Sequence, residues 1–246
     1  MHVIVTGAAS GIGRASALRL ARRMSVTVAD RNGEGARLVA SEIEAAGGQA
    51  LGVEVDVTSR DGVFAMVERA RNAFGPVDAL FANAGVNRRN PVDQILEADW
   101  DLMMATHVKG VFLSCQAVLG EMVARGQGAI VNTSSDFAIM GVAGNATYTA
   151  AKTAIYSLTK ALACEFTPKG IRVNAVGPGP IDTPLLASGR SPEQHAATMQ
   201  KFANNLPLGR MGEPDDVAVV VDFLLSEKAS YISGQILHPN GGQLMW

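Results

Sequence analysis

A short β-rich run, His2–Thr6, is broken by Gly7-Ala8-Ala9-Ser10-Gly11-Ile12-Gly13, and a helical segment follows over roughly residues 12 to 23. Strand, glycine turn and helix in this order form the context that a phosphate-binding turn requires. Glycines let the backbone take positive φ and come close to a pyrophosphate, while the helix N-terminus supplies free N–H groups and partial positive charge. The spacing, with Gly7, Gly11 and Gly13 following Thr6, departs from the usual G-x-G-x-x-G, and Ser10 and Ile12 join the glycines as candidate contacts. Such a turn serves equally well as a tight connection, so the rest of the chain decides its meaning.

The strand-then-helix step recurs. A second strand, Ser25–Asp30, ends in a carboxylate about where a dinucleotide fold sets an acid on the adenosine ribose. That carboxylate accepts hydrogen bonds from ribose hydroxyls and repels a 2′-phosphate, which favours NAD over NADP. Arg31 beside it pulls the other way. A third strand over residues 50 to 55 ends at Asp56-Val57, where the acid either accepts from the adenine amino group or caps the next helix. A fourth, over residues 77 to 81, runs into Asn83-Ala84-Gly85, small enough for backbone to approach a ligand and with a side chain able to bridge strands. Residues 91 to 125 read as a helical approach and one long helix, and Gly128–Thr133 is a fifth strand. After a long helix over about 147 to 168, a sixth strand, Ile171–Val176, opens into a Pro/Gly-rich stretch from Gly177 to Pro184. Residues 185 to 209 are polar and weakly helical, as a substrate-covering lid is. A helix from Pro214, a last strand over residues 235 to 238 and an apolar tail ending in Trp246 complete the chain.

Strands alternating with helices predict an α/β fold: a single-domain, doubly wound, mostly parallel seven-stranded sheet flanked by helices, over residues 1–246. Ligands of such sheets sit at the strand C-terminal ends, where every candidate above falls. A formal charge of −2 and a charged fraction of 18% imply neither nucleic acid nor an anionic membrane, and Arg22-Arg23 and Arg88-Arg89 read as solvated charge. Cys115 and Cys164 read as small buried hydrophobes, and the four histidines have no metal-ligand spacing, so no metal is expected. The start of the chain does not read as a signal peptide and no apolar run reads as bilayer length, which makes the cytoplasm the default location.

The chemistry centres on the stretch that the fifth strand delivers. Tyr148 and Lys152, four apart, share one helix face. With Ser135 at the preceding strand end, three polar groups can converge. An ammonium beside a phenol favours phenolate and makes the tyrosine a proton carrier, while the serine hydroxyl can hold a carbonyl or alcohol oxygen.

Thr6-Gly7-x-x-x-Gly11-x-Gly13, Asn83-Ala84-Gly85, Ser135, Tyr148-x-x-x-Lys152 and Pro178-Gly179 together resemble the short-chain dehydrogenase/reductase family over essentially the whole chain. The resemblance implies a Rossmann-type domain binding a nicotinamide dinucleotide and assembled as a homotetramer through two long helices and the C-terminal segment. It implies Tyr148 as catalytic acid/base, Lys152 on the nicotinamide ribose, Ser135 on the substrate oxygen and Ser134 as a structural neighbour. Ile181 and Thr183 match positions that contact the nicotinamide carboxamide, and Asp56 and Val57 match those that meet adenine. One position departs: the family's Asn-x-x-Gly step reads His107-Val108-Lys109-Gly110, and His107 is taken either as part of the proton relay, adding a titrating group, or as a packed helix residue. His238 replaces the more usual residue near the C-terminal Gly-Gly, with no role assigned.

The expected reaction is reversible NAD-dependent oxidation of a small-molecule secondary alcohol, a polyol or sugar or a cyclic or aliphatic alcohol, to its ketone. Substrate choice is expected from Asp136, Phe137, Asn145, residues 86 to 90 and the segment 180 to 205. The alternatives are an NADPH-dependent 3-oxoacyl-carrier-protein reductase and a nicotinamide-binding regulator without turnover.

Overall fold

The computed structural model describes residues 1–188 and 191–245. Its strands are β1 (His2–Thr6), β2 (Ser25–Asp30), β3 (Ala50–Glu54), β4 (Ala79–Ala82), β5 (Gly128–Thr133), β6 (Ile171–Val176) and β7 (Ile236–Leu237). They form one 7-stranded sheet in the order β3-β2-β1-β4-β5-β6-β7. Every neighbouring pair is parallel, so the sheet is wholly rather than mostly parallel. The composition of the strands explains this: β1 and β4 are buried along their whole length, which suits strands covered by helices on both faces.

The helices are α1 (Gly11–Leu20), α2 (Gly33–Ala45), α3 (Arg60–Phe74), α4 (Glu97–Met104), α5 (Gly110–Arg125), α6 (Ala146–Phe166), α7 (Pro184–Ala187), α8 (Pro192–Asn205) and α9 (Pro214–Leu225). Successive strand residues point to opposite faces. Val3 and Val5 therefore pack with Leu20, Ile43, Val221 and Leu224 of α1, α2 and α9. Ile4, between them, joins Met66, Val118, Met122 and Ile155 of α3, α5 and α6. The sheet order reverses between β1 and β4, leaving a crevice at their C-terminal ends, the place where a doubly wound sheet binds ligands.

Four expectations need correction. The long helix of residues 91 to 125 is α4 and α5 joined by a π-type turn over Ala105–Lys109, which holds His107 buried. The combined run Glu97–Arg125 is long and apolar enough to cross a bilayer by length and composition, contrary to the sequence reading, but 56% of its most apolar window is buried inside the protein, as in a core helix. Cys115 is buried as expected, whereas Cys164 lies on an exposed face of α6. The segment from 185 to 209 is more helical than its composition suggests: Thr183 caps α7, and a capping box of Ser191 and Gln194 starts α8. Residues 189 and 190 of that segment, and Trp246 of the tail, lie outside the described residues.

Candidate active site

A cavity of about 580 Å³ opens at the β1/β4 switch point, and of the predicted catalytic and cofactor-binding residues all but Gly13 line it. Gly13 acts behind the surface. A Cβ there would lie 2.1 Å from Gly7 O, so only glycine lets the first turn of α1 sit against the loop. Gly7 has φ +66 and a Cβ at that position would meet Ala84 Cα at 2.7 Å, which ties the loop to the end of β4. Asn83 completes that tie, donating from Nδ2 to Thr6 O at 3.1 Å and Gly7 O at 3.2 Å and accepting at Oδ1 from Thr133 Oγ1 at 3.4 Å. The asparagine thus bridges β1 and β5 across β4.

At one end of the cavity the Asp30 carboxylate is held by two backbone amides, Ala9 N at 3.0 Å and Asn32 N at 2.8 Å. Asp56 accepts from Thr58 N at 2.9 Å and Thr58 Oγ1 at 2.7 Å, and those bonds hold its carboxyl below the usual range. The cap of α3 is Ser59, whose Oγ accepts from Gly62 N at 3.2 Å, so Asp56 is not the cap.

At the other end, Ser135, Tyr148 and Lys152 come together. Ser135 follows β5 and caps a 3₁₀ turn, its Oγ accepting from Phe137 N at 3.2 Å. Tyr148 and Lys152 lie in the first two turns of α6, locked to the β5 end by Ser134 Oγ donating to Lys152 O at 3.0 Å. The Tyr148 ring is wedged edge-on between His107 at 5.4 Å and Phe137 at 6.0 Å. Burial pushes the phenol up to about 12, against the opposing pull of a hydrogen bond with Ser135 and the charge of Arg89. Lys152 does not supply that pull. Its Nζ donates to Thr133 O at 2.7 Å, 5.5 Å from the tyrosine ring centre, and burial brings it down to about 7.

His107 Nε2 lies 2.7 Å from Val86 O and 3.3 Å from Val86 N, and the shorter contact favours Nε2 as the protonated nitrogen, with Nδ1 as the acceptor. That buried Nδ1 has no protein partner among the described residues. Burial and then the neighbouring Lys152 charge lower the imidazole to about 3. Burial thus favours the neutral imidazole, the form with one donor and one acceptor, over a group that titrates near neutrality.

Sequence reasoning missed two features. Asp136 was expected to face substrate; instead it is fully buried behind the wall and bonds His238 Nδ1 at 2.7 Å. His238 packs on Gly177, where a Cβ would lie 2.5 Å from the ring. With Asp136 N donating to Pro178 O at 3.2 Å, the pair ties the Ser135 turn to the Gly177-Pro178 loop. Adjacent apolar neighbours gave no sign of this pairing, because the two residues are 102 positions apart. Of residues 86 to 90, expected to set substrate choice, Val86, Asn87, Arg88 and Arg89 line the cavity, so the arginine pair is not merely solvated charge, whereas Asn90 and Asn145 do not line it.

Residues 7–243 match the family model described as enoyl-(acyl carrier protein) reductase. The cis-4-hydroxycyclohexanecarboxylate dehydrogenase of Sinomonas cyclohexanicum is 42% identical over 97% of this chain and 94% of its own. The chain belongs to the short-chain dehydrogenase/reductase family. Members of this family are oxidoreductases acting on CH–OH groups with a nicotinamide cofactor, and this chain is one of them. A 3-oxoacyl-[acyl-carrier-protein] reductase of Staphylococcus aureus is 38% identical over 98% of this chain and 97% of its own. Among solved structures, levodione reductase superposes with a TM-score of 0.93 at 34% identity, covering 98% of this chain and 96% of that one. A 7α-hydroxysteroid dehydrogenase complexed with NADH and 7-oxo glycochenodeoxycholic acid gives 0.92 at 36% identity, covering 98% and 93%.

The site fits such a cofactor on its own chemistry. The N-terminus of α1 faces the cavity with no side-chain cap at Ser10 and no acid in its first turn, leaving amides and partial positive charge for a pyrophosphate. Asp30, oriented by two amides, offers its remaining lone pairs to ribose hydroxyls.

Proposed function

We propose that the protein oxidises a cyclic or aliphatic secondary alcohol to its ketone with NAD⁺, reversibly, using Tyr148 as acid/base. The observation that carries this reading is the convergence of Ser135, Tyr148 and Lys152 at one end of a cavity whose other end is edged by Asp30. The Sinomonas relative, whose name specifies a ring secondary alcohol, supports the cyclic class.

When bound, NAD⁺ accepts the hydride from the carbinol carbon. The chain does the rest. The α1 N-terminus with Gly7, Ser10, Gly11 and Ile12 binds the pyrophosphate, Asp30 the adenosine ribose, and Asp56 and Val57 the adenine. Asn83, Ala84 and Gly85 border the ribose of the nicotinamide half, and Pro178, Gly179, Ile181 and Thr183 border its ring. Ser135 Oγ hydrogen-bonds the reacting oxygen. Tyr148 takes the hydroxyl proton at its phenolic oxygen, or returns it in ketone reduction. Lys152, with Nζ on Thr133 O and 5.5 Å from the Tyr148 ring centre, turns to the nicotinamide ribose, and neutral His107 holds a relay water at Nδ1 rather than titrating. α7 and α8, with Leu185, Leu186 and Phe202 on the cavity wall, exclude water from the substrate. One domain carries both sites. Phe112, 44% exposed, and the apolar groove between α5 and α6 support a homotetramer packed through these helices, working in the cytoplasm.

The reductase of S. aureus supports a second reading, reduction of a 3-oxoacyl-carrier-protein with NADPH, for which Arg31 would pair with the 2′-phosphate. Asp30→Ala separates the two. On the first reading the ratio of kcat/KM for NAD⁺ over NADP⁺ is high in the parent and drops by about a hundredfold in the variant, the scale of one or two charge-assisted hydrogen bonds. A parent enzyme already faster with NADP⁺, and unmoved by the substitution, would hand the selection to Arg31.

A further inference from the structure

The carboxylates around the cavity are segregated, although cations stand at both ends, Arg31 beside Asp30 and Lys152 beside Tyr148. Its lining acids, Asp30 and Asp56, both stand at the cofactor end, past β2 and β3. The end that holds Tyr148 and Ser135 has two arginines, Arg88 and Arg89, on the loop after β4, and no carboxylate among the described lining residues. The cavity wall also carries hydrocarbon from Leu102 of α4, Phe137, Leu185, Leu186 and Phe202. One acid on α4 reaches the pair from behind: Asp99 Oδ1 lies 3.6 Å from Arg88 Nε and braces that guanidinium. The Arg89 charge reaches the reacting group itself, since it draws the Tyr148 phenol downward.

We infer that the substrate carries a carboxylate on a compact hydrocarbon body, held by Arg88 and Arg89 while Ser135 and Tyr148 engage its hydroxyl. This rests on the proposed reading of which end of the cavity takes the alcohol. The chemistry favours it on two counts. Guanidinium groups match carboxylate geometry in a bidentate way that a solvated lysine does not. An anion bound against an apolar wall also feels a weakly screened cation, so the attraction exceeds that of a surface pair. Fixing the far end of the molecule then aligns its carbinol with the phenol, the orientation that converts binding into rate.

The test separates anion recognition from turnover. Acetate, hexanoate, cyclohexanecarboxylate and benzoate, none of which can react, are titrated by calorimetry into the protein with saturating NADH, each beside its neutral amide. At least one carboxylate is expected to bind about tenfold or more tightly than its amide. The preference should shrink as salt is raised, vanish in an Arg88→Gln/Arg89→Gln double variant that still binds NADH, and survive in part in Arg89→Lys, which keeps the charge but loses the fork. Equal binding of every acid and amide, or a preference that persists in the double variant, overturns the inference. Oxidation of cyclohexanol with NAD⁺ is measured in parallel. Turnover without any acid preference would refute the anion site and leave the reaction intact, whereas acid preference without turnover of any alcohol would refute the reaction and leave the anion site standing.

Discussion

Tyr148→Phe is expected to lower kcat by about a thousandfold, the middle of the range for loss of a positioned acid/base, while NADH affinity changes by no more than about twofold. The separation follows from what the substitution removes. Phenylalanine keeps the edge-on packing against His107 and Phe137 and deletes only the hydroxyl. The pH profile carries the same signature. Burial holds the phenol near about 12, so the phenolate that removes a proton from an alcohol is scarce near neutrality and grows as pH rises. Oxidation by the parent enzyme should therefore accelerate toward alkaline pH. Ketone reduction, which needs the phenol as acid, should show no such rise. Both features are read from initial rates across pH in the two directions, with NADH binding measured by fluorescence. A variant within about tenfold of the parent rate, with the alkaline rise intact, would place the proton carrier elsewhere.

Lys152→Met should uncouple stability from activity. The ammonium is 3% exposed with one backbone acceptor, Thr133 O, and burial draws its pKa from 10.5 to about 7. The unfolded chain keeps this proton up to about 10.5 and the folded chain releases it near 7, so unfolding takes up a proton between those values. Stability then rises with pH through that window, and at lower pH the full cost of burying the charge is present. Methionine removes the charge at similar volume, less the cost of leaving Thr133 O without its donor, a net gain of at most a few kcal/mol. Below neutrality the variant should melt above the parent, and the parent's gain in Tm on going alkaline should be missing. Turnover should nevertheless fall by about a hundredfold or more, because the group proposed to hold the nicotinamide ribose is gone. Thermal melts over a pH series, with kcat from the same samples, measure both. A variant that melts lower at every pH would show that the lysine stabilises the fold, contrary to its burial without a counter-ion.

Much of the fold was legible because it rests on local signals that agree with one another. Apolar strands ending in small or polar residues, each followed by a helix, fix a parallel sheet, and the His2–Thr6, Ser25–Asp30, Gly128–Thr133 and Ile171–Val176 bounds appear unchanged in the structure. The features that escaped are those in which distance along the chain hides a contact. The π-type turn over Ala105–Lys109 has no turn residue to announce it, since it is made by inserting one residue into an otherwise regular helix. Asp136 and His238 read as a loop acid and a tail histidine until β6 and β7 pair and bring them to 2.7 Å. Residues 86 to 90 were legible as substrate-facing from their place after β4, but the charge of Arg88 and Arg89 reads as solvated until the fold of that loop against α4 is known. The tuning of Tyr148 was misjudged for a related reason: four-residue spacing brings Lys152 to the same face, but burial acts on each group more strongly than either acts on the other.

The most direct measurement of the proposed reaction is NADH formation, followed by its near-ultraviolet absorbance, when the purified protein and NAD⁺ are mixed with a panel of cyclic, aliphatic and sugar alcohols, with NADP⁺ and 3-hydroxyacyl thioesters in parallel. Reduction of NAD⁺ by a ring or aliphatic secondary alcohol, faster than that of NADP⁺, is the result expected from Asp30 and the Ser135, Tyr148 and Lys152 convergence. Turnover confined to NADP⁺ and acyl thioesters would contradict it and give the site to a carrier-protein reductase.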